Sequence, residues 1–334
     1  MPPSGRCCTE TDGSEVKKMV KKKNVIVTGG AGFVGSSIAA VLAEANNVLL
    51  LDNLHTGVME NVNALVKEGA QFFKADSGQI AEARFDPDLI VHVGMYSSTP
   101  MYREDPSLIG KVVSDAINVF EYASERGVPV VFASSSSIYN GYTPPHREDM
   151  VPKVTDFYTE ARVAVERLAE LYNSMHDLTA IGLRMFSIYG PHDERKGKYG
   201  NLITQFMLNI GRGETPVVYG DGTQTRDFTY IDDVVDAFIR ASDLKGFDIL
   251  NVGRGEEFTI NQMLAKLGEH LGVKTRPKYI ANPLKNYVEH LRADTSKAER
   301  VLGFRARYSL DEGIGKMHDY LIDAGLFGSH AERH

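Results

Sequence analysis

Short apolar runs alternate along the chain with segments whose apolar residues recur at helical spacing. The runs begin with Val25 to Thr28 and recur at residues 89–95, 128–139 and 178–190. Residues 157–175, in contrast, place apolar side chains three to four positions apart, which is the period of an amphipathic helix. Strands that alternate with helices predict an α/β protein built on a doubly wound parallel sheet.

Ligands of such sheets bind beyond the carboxyl ends of the strands. In this chain those ends carry Gly94, the serine run at 134–137 and the segment 186–189. We therefore expect these three stretches to border one cleft.

The composition indicates a protein with a small-molecule partner. The 37 basic and 44 acidic residues give a net charge of −7, which does not favour binding to nucleic acid or to an anionic membrane. No apolar run approaches the roughly 20 residues that cross a bilayer. The two cysteines, Cys7 and Cys8, offer no disulfide framework or cysteine-based metal site to the rest of the chain. We expect a cytoplasmic protein with no metal.

Residues 1–23 have the composition of a disordered leader. Small, charged and turn-forming residues dominate this segment. Such a composition cannot bury enough apolar surface to fold by itself. We expect the folded part of the chain to begin at about residue 24.

A glycine-rich turn follows the first predicted strand and precedes a helical pattern, in the segment "NVIVTGGAGFVGSSIAAVLAEA". Gly29 or Gly30 permits the tight turn, Gly32 lets the backbone approach a diphosphate, and Gly35 lets the helix lie close to the strand. The free amide groups at the start of the helix favour an anion. This unit predicts a dinucleotide site.

Asp52 ends the next apolar run, 20 residues after Gly32. A carboxylate at this distance is expected to bind the ribose hydroxyls of the adenosine half. It would repel a 2′-phosphate, and Asn53, Leu54 and His55 offer no arginine to hold one. The sequence therefore favours NAD over NADP, with a plain turn-forming role for Asp52 as the alternative.

A second candidate site combines the serine run with a tyrosine. Tyr158 and Arg162 are four residues apart near the start of the predicted helix, so their side chains share one helix face. A phenol has a pKa of about 10, and a neighbouring cation lowers that pKa because it favours phenolate. Beside a dinucleotide, these groups suggest removal of a hydroxyl proton coupled to hydride transfer. A simple helix-surface pair is the alternative.

Together these motifs resemble the extended short-chain dehydrogenases/reductases, and within them the nucleotide-sugar epimerases and dehydratases, most of all the UDP-hexose 4-epimerases. The resemblance covers about residues 24–325 and includes "TGGAGFVGS", "LLLDNL", "SSSSIYNG", "LRMFSIYGP", "YGDGTQTRDFTYIDDVV" and "RADTSKAERVLGF". It implies a Rossmann-type NAD-binding domain at 24–185, with a return segment at about 228–252. A smaller, discontinuous substrate-binding domain would occupy 186–330.

The resemblance also implies roles for individual residues. Tyr158 would be the general base on a sugar hydroxyl, with Ser135 and Arg162 as the other catalytic residues. The cofactor-binding residues would be Gly29, Gly32, Phe33, Val34, Gly35, Asp52, Asn53, Asp76, Ser77, Val93, Gly94, Met95, Tyr158 and Arg162. The substrate-binding residues would be Ser135, Ser136, Ser187, Asn201, Leu202, Tyr219, Arg226 and Lys285.

Arg226 suits a diphosphate because a guanidinium can hold phosphate oxygens in a bidentate fork. A salt bridge from Arg226 to Asp227 or Asp232 is the alternative for this residue. Lys285 would substitute for an arginine that the family usually places near the diphosphate.

Arg162 departs from the family pattern, in which lysine usually holds this position. Lysine can reach the ribose hydroxyls and relay protons, whereas a guanidinium is planar, bulkier and always charged. Arg162 is expected to tune Tyr158 by its charge and to relay protons poorly. Gly94, Met95 and Ser187 are further departures, so the sugar specificity stays open.

The resemblance implies an epimerase that inverts C4 of a UDP-hexose or UDP-N-acetylhexosamine through a transient 4-keto sugar. Family dehydratases place an acidic residue in the serine motif, and Ser136 and Ser137 are not acidic. A dehydratase, decarboxylase or reductase on the same scaffold, or a non-catalytic NAD-binding protein, remain alternatives. Family likeness also implies a homodimer that pairs helices at about 106–125 and 157–175.

Overall fold

The structure is a computed structural model that describes residues 20–327. Its strands are β1 Asn24–Thr28, β2 Asn47–Asp52, β3 Gln71–Lys74, β4 Leu89–His92, β5 Val130–Ser135, β6 Ala180–Met185, β7 Ile188–Tyr189, β8 Val217–Tyr219, β9 Thr225–Arg226, β10 Thr229–Tyr230, β11 Phe247–Val252, β12 Phe258–Thr259 and β13 Lys278–Ile280. Its α-helices are α1 Phe33–Ala43, α2 Asn63–Lys67, α3 Thr99–Glu104, α4 Leu108–Arg126, α5 Phe157–His176, α6 Leu202–Gly211, α7 Ile231–Ala241, α8 Ile260–Leu271, α9 Ser296–Leu302 and α10 Leu310–Asp323. Short 3₁₀ segments lie at Met59–Asn61, Ser77–Ala83, Ser136–Tyr139 and Asp193–Tyr199.

Seven parallel strands form the central sheet in the order β3-β2-β1-β4-β5-β6-β11. The order reverses between β1 and β4, so the crossover helices lie on opposite faces. Helix α4 packs against α5, and α1 packs against α7. This is the doubly wound Rossmann-type sheet that the alternation of patterns predicts.

The central strands are apolar along their whole length because both faces of the sheet are covered. Every residue of β5 is buried, and Val25, Ile26 and Val27 of β1 are fully inaccessible to solvent. Helix α5 begins where the Asp156 carboxylate accepts a hydrogen bond from the amide of Thr159, which is a standard N-cap. The start of α5 is thereby defined immediately before Tyr158.

The second part of the chain adds three two-stranded sheets, β7 with β10, β8 with β13 and β9 with β12. Helix α8 packs against α6 and α10. Strand β11, which lies within the predicted return segment, pairs with β6 at the edge of the central sheet. The main apolar core contains residues from Val20 to Leu321, so the two parts of the chain share one core.

The structure differs from the sequence-based boundaries at two places. Residues 1–19 of the predicted leader lie outside the described residues, but Val20 is buried and the amide of Lys22 donates to Ala45 O. The apolar run 178–190 is divided into β6 and β7, since Ser187 between them has a left-handed φ of 32°. None of the helices within residues 20–327 is long and apolar enough to cross a membrane.

A buried ion pair joins α5 to the carboxyl ends of the sheet. Arg184 on β6 donates from Nε and Nη2 to the two oxygens of Glu166 on α5, at 2.9 and 2.7 Å. Glu166 also accepts from Ser134 Oγ at 2.5 Å, and Arg184 donates to the Tyr139 hydroxyl. The Tyr139 hydroxyl in turn donates to Asn251 on β11. Helix α5 is therefore tied to β5, β6 and β11 by hydrogen bonds as well as by packing.

Replacing Arg184 by Met is expected to lower the free energy of unfolding by about 3–5 kcal/mol, because Glu166 is left as a buried charge without its partner. Urea unfolding measures this loss. The double variant Arg184→Met/Glu166→Leu removes both charges. Its free energy of unfolding should fall by less than that of the single variant. A single variant within about 1 kcal/mol of the parent would contradict the assigned buried pair.

Candidate active site

The turn after β1 brings three glycine backbones into close contact. Gly29 has a left-handed φ of 67°, and a Cβ at this position would lie 2.7 Å from Gly94 Cα. A Cβ on Gly35 would lie 2.0 Å from Gly29 O, so no side chain fits there. The predicted roles of a turn glycine and a close-packing glycine therefore belong to Gly29 and Gly35. Gly32 caps the start of α1.

Asp52 connects the glycine turn to the end of β2. One carboxylate oxygen accepts from the amide of Ala31 at 3.0 Å, and the other accepts from Leu54 at 2.7 Å. The side chain is almost fully buried, and this burial raises the pKa of Asp52 above its ordinary value, against the opposing effect of the backbone hydrogen bonds. Asp52 thus has the turn-holding role that was the alternative, and it also lines the adjoining cleft.

A cleft of about 740 Å³ opens at the carboxyl ends of β1, β2 and β4. We call it the first cleft. It is lined by Gly29, Gly32, Phe33, Val34, Gly35, Asp52, Asn53, His55, Thr56, Gly57, Ala75, Asp76, Ser77, Val93, Gly94, Met95, Tyr96, Ser97, Asp115 and Lys196. All of the predicted cofactor-binding residues except Tyr158 and Arg162 lie here.

One end of the first cleft is rich in hydrogen bonds. Asn53 donates to the Asp76 carboxylate at 2.6 Å, and this bond, followed by the effects of Lys111, lowers the pKa of Asp76. Ser77 Oγ donates to Gly94 O at 2.8 Å. These contacts hold the ends of β2, β3 and β4 at a fixed separation beside the cleft.

A second cleft of about 990 Å³ adjoins the first at the ends of β5 and β6. It is lined by Phe33, Val34, Val93, Met95, Ser97, Ala133, Ser134, Ser135, Ser136, Ser137, Tyr158, Arg162, Met185, Ser187, Ile188, Lys196, Tyr199, Gly200, Asn201, Val288 and Leu291. The six residues common to both clefts are Phe33, Val34, Val93, Met95, Ser97 and Lys196. A ligand in the first cleft can therefore reach the tyrosine through a continuous opening.

The guanidinium of Arg162 lies against the ring of Tyr158. The guanidinium carbon is 4.9 Å from the ring centroid, and Nη2 donates to Tyr96 O at 2.5 Å. Nη1 contacts the sulfur of Met95, and the buried Nε donates to no partner among the described residues. The cation is therefore held rigidly in a cation-π position.

Arg162 is buried and nevertheless keeps its positive charge. Only 3% of the residue is exposed. Burial by itself disfavours the charge, but the ionisable hydroxyls of Tyr158 and Tyr102 outweigh this effect and raise the pKa of Arg162. The guanidinium thus supplies a permanent positive charge at the face of Tyr158.

The serine run is held to the helix that carries the tyrosine. Ser135 Oγ accepts from the amide of Ser137 and donates to Ser137 Oγ, at 3.1 Å in both cases. Thr159 Oγ1, next to Tyr158, donates to Ser137 Oγ at 3.4 Å. Ser135, Ser137 and Tyr158 all line the second cleft, and the hydroxyls of Ser135, Ser137 and Thr159 form a connected set beside it.

His92 is a structural residue of the sheet rather than a ligand. Its Nδ1 is 2.8 Å from Thr28 Oγ1, which also accepts from the amide of Gly94. Burial, with a smaller contribution from Arg162, lowers the pKa of His92 to about 3, so the ring is neutral. Within residues 20–327 no group of three or more His, Cys, Asp or Glu side chains is placed to hold a metal ion.

Four predicted substrate-binding residues line neither cleft: Leu202, Tyr219, Arg226 and Lys285. Arg226 donates to Thr225 O and Val288 O at 2.7 and 2.6 Å and lies 5.2 Å from the ring centroid of Tyr287. The ring of Tyr219 also packs against Tyr287. Because Val288 lines the second cleft, Arg226 and Tyr219 lie just beyond its wall rather than inside it.

The alternative salt bridge of Arg226 is not found. Asp227 accepts instead from the amides of Ala293, Arg254 and Gly255, and Arg226 has no carboxylate partner within residues 20–327. Burial lowers the pKa of Arg226, yet a guanidinium remains charged in proteins. The structure thus leaves a buried cation whose partners are backbone carbonyls.

Several residues of the two clefts are not predicted from the sequence, among them Lys196, Tyr199, Val288 and Leu291. Lys196 and Tyr199 lie on the 3₁₀ segment that follows β7, so the rule that ligands bind at strand ends could have drawn attention to them. Val288 and Leu291 carry no local signal, because a distant loop brings them to the cleft.

Comparison with known proteins agrees with this geometry. The sequence model of one protein family, described as the NAD dependent epimerase/dehydratase family, matches residues 25–253. The UDP-glucose 4-epimerase of Mycolicibacterium smegmatis is 32% identical over 308 residues, covering 88% of this chain and 97% of the relative. This chain belongs to the NAD-dependent epimerase/dehydratase family.

Solved structures of similar proteins show the same fold. The UDP-N-acetylglucosamine 4-epimerase of Methanobrevibacter ruminantium, in complex with UDP-N-acetylmuramic acid, is 28% identical with a TM-score of 0.86, covering 91% of this chain and all of that one. The UDP-glucose 4-epimerase of Thermus thermophilus, in complex with NAD, is 30% identical with a TM-score of 0.81, covering 90% and 99%. The predicted fold class, family and NAD cofactor are thereby confirmed.

As a member of the epimerase/dehydratase family, the protein takes NAD, and the first cleft fits this cofactor. The amino end of α1 has no acidic residue in its first turn and opens into the cleft at Gly32 and Phe33. A helix start of this kind favours a diphosphate. Asp52 and Asn53 lie at the end of β2, where a dinucleotide's adenosine ribose is expected.

The variant Gly35→Ala tests whether NAD binding depends on the close approach of Gly35 to the backbone of Gly29. Gly35→Ala should weaken NAD binding at least tenfold, because a Cβ 2.0 Å from Gly29 O must displace the turn that faces the diphosphate. Calorimetric titration with NAD measures the change. Gly110→Ala is the matched control, since a Cβ there meets nothing within 4 Å. Equal affinities for both variants would contradict the assigned turn.

Proposed function

We propose that the protein is an NAD-dependent nucleotide-sugar epimerase that inverts C4 of a UDP-hexose or UDP-N-acetylhexosamine. The observation that carries this proposal is the continuity of the two clefts. Six residues line both clefts, and Tyr158, Ser135 and Ser137 lie in the second one. A sugar in the second cleft would therefore meet a tyrosine hydroxyl close to the reactive end of a dinucleotide held in the first.

Tyr158 would take the proton of the sugar 4-hydroxyl, with Ser135 sharing the hydrogen bond to that oxygen. When bound, NAD⁺ supplies a hydride acceptor. Loss of the proton and of the C4 hydride would leave a 4-keto sugar, which would turn in the second cleft so that the hydride returns to its opposite face and gives the epimer. The proton then returns from Tyr158, so neither redox equivalents nor protons are consumed.

Arg162 would act on the site through its fixed positive charge at the face of the Tyr158 ring. Its guanidinium is fixed by Tyr96 O and is nearly inaccessible to solvent, so its charge is weakly screened. Because the guanidinium points at a backbone carbonyl and does not lose its proton, it would not relay protons. The substitution of the usual lysine would change how protons leave the site while preserving the charge.

The nucleotide half of the substrate would extend past Val288 toward Tyr219 and Arg226. The buried guanidinium of Arg226 donates to backbone carbonyls, and a guanidinium is a suitable partner for a diphosphate. Leu202 begins α6 directly after Asn201, which lines the second cleft. Lys285 is exposed on the loop before Val288, so it would meet the substrate only at the rim.

Two other experimental outcomes would replace the epimerase assignment. A product of changed mass would indicate a decarboxylase, dehydratase or reductase; the serine motif at Ser136 and Ser137 lacks the acid of a family dehydratase. Binding of nucleotide sugars without any product would indicate a non-catalytic NAD-binding protein.

Incubation with UDP-hexoses and their N-acetyl forms, without added cofactor, should yield the C4 epimer, read from the anomeric protons by NMR. Tyr158→Phe should lower kcat by about 10²–10⁴, since the variant has no group to accept the hydroxyl proton. Arg162→Lys retains the charge and should stay within about tenfold of the parent.

The matched control for this experiment is Tyr102→Phe. The ring of Tyr102 packs edge-on against Tyr158, its hydroxyl donates to Tyr96 O, and burial raises the pKa of Tyr102 to about 12. Tyr102 lines neither cleft, so its loss should leave kcat nearly unchanged. Full activity of Tyr158→Phe would remove the assigned base.

We also infer a cytoplasmic homodimer in which α4 and α5 form the interface. These helices pack side by side on one face of the sheet. Phe157, Leu171 and Met175 on α5 are exposed by 49%, 53% and 70%. Large apolar side chains grouped on one helix face favour contact with a second copy.

Replacing Leu171 and Met175 together by Lys should convert the dimer to a monomer, because two charges would be buried at the interface without partners. Sedimentation velocity measures the change in mass. Val217→Lys serves as a control, since Val217 is 43% exposed on β8, away from these helices. A parent protein that sediments as a monomer would contradict the inference.

A further inference from the structure

Lys196 occupies a distinctive position between the two clefts. It lies on the 3₁₀ segment Asp193–Tyr199 and is the one lysine or arginine among the residues that line the first cleft. It is also the one charged residue of the six that line both clefts. Its ammonium is 5.7 Å from the ring centroid of Phe33, the first residue of α1. The ammonium is therefore close to the amino end of that helix.

The segment that carries Lys196 is attached to α1 by its own contacts. His192 Nδ1 lies 3.3 Å from Ser36 Oγ on α1, and the His192 ring packs against Tyr320 of α10. Gly197 follows Lys196 with a left-handed φ of 56°, which turns the chain back toward Asn201. The position of Lys196 over the start of α1 thus follows from the fold.

The ion pair of Lys196 with Asp193 leaves N–H donors of the ammonium available. Its nitrogen lies 3.3 Å from Asp193 Oδ1, which is longer than the usual 2.7–2.9 Å of a charge-assisted hydrogen bond. Asp193 is fully buried; its other oxygen, Oδ2, accepts from the amide of Asn201 and from Thr204 Oγ1. An ammonium has three donors. Asp193 therefore holds Lys196 in place and still leaves donors that can bind an anion.

The charges of the first cleft require such a cation. Asp52, Asp76 and Asp115 all line this cleft, and a diphosphate bound there would add two further negative charges. Lys111 pairs with Asp76 and Asp115 at 3.1 and 2.8 Å, so its charge is already matched. The partial positive charge at the start of α1 and Lys196 are the remaining sources of attraction.

We propose that Lys196 binds the diphosphate of the dinucleotide from the side opposite to α1. The ammonium would connect the phosphate oxygens to the buried carboxylate of Asp193. Since Asp193 also holds Asn201, the contact would join the bound dinucleotide to the wall of the second cleft. The inference depends on NAD binding, which family membership establishes, and not on the reaction proposed above.

Calorimetric titration of the nucleotide-free protein with NAD, ADP and adenosine tests this proposal. Lys196→Ala should weaken the binding of NAD and of ADP by about 10- to 100-fold, which is the usual effect of losing one hydrogen bond to a charged group. Adenosine has no phosphate, so its affinity should change by less than about twofold. Lys196→Arg should recover most of the affinity because a guanidinium also binds phosphate.

Lys198→Ala is the matched control, because Lys198 lies on the same segment but pairs with Glu104 and is 67% exposed. A second variant separates phosphate binding from the effect of an unpaired Asp193. In Lys196→Ala/Asp193→Asn the carboxylate of Asp193 is no longer left without its lysine, so the loss of NAD and ADP affinity should persist. Three results would each overturn the proposal. They are a recovered NAD and ADP affinity in this double variant, a loss of adenosine affinity as large as the loss of NAD affinity in Lys196→Ala, and unchanged NAD and ADP affinities in Lys196→Ala.

Discussion

The close approach of the backbone at Gly29, Gly35 and Gly94 is the constraint on which the site depends. A Cβ at any of the three would meet another backbone or side-chain atom within 2.7 Å. This contact places the start of α1 directly over the carboxyl end of β1, next to β4. The first cleft, its free amide groups and its connection to the second cleft all follow from that placement.

A second constraint is the position of α5. The Glu166–Arg184 pair ties this helix to the sheet, and the Asp156 cap defines where the helix begins. Tyr158 therefore faces the serine run at a fixed distance from the end of β4. Arg162, one turn later, donates to Tyr96 O and lies 4.9 Å from the centroid of the tyrosine ring.

The fold and most of the first cleft could be predicted from the sequence because both depend on local patterns. Strand and helix periodicity, the spacing of glycines and the position of Asp52 are readable over about 30 residues, which is the size of a βαβ unit. The direction of Arg162 could not be read in this way, since it depends on the carbonyl of Tyr96 and the sulfur of Met95. Helical spacing placed Arg162 near Tyr158 but not beneath its ring.

Residues supplied by distant segments of the chain are predicted less well for the same physical reason. Arg226, Tyr219 and Lys285 were assigned by family likeness, and the structure places them beyond the second cleft rather than in its lining. Val20 looked like part of a disordered leader, yet it is buried in the main core. Lys196 belongs to no local motif, and its position becomes evident only when the segment after β7 folds over α1.

In the proposed reaction a hydride leaves C4 of the sugar and returns to the same carbon while the sugar stays bound. To follow this hydride, a UDP-hexose that carries deuterium at C4 is incubated with the protein and excess unlabelled NADH, and the product is analysed by NMR and mass spectrometry. We expect an epimer that retains the deuterium at C4, with none in the solvent or in the free cofactor. Replacement of the deuterium by solvent hydrogen, or its appearance in the free NADH, would show that the hydride does not return within one binding event.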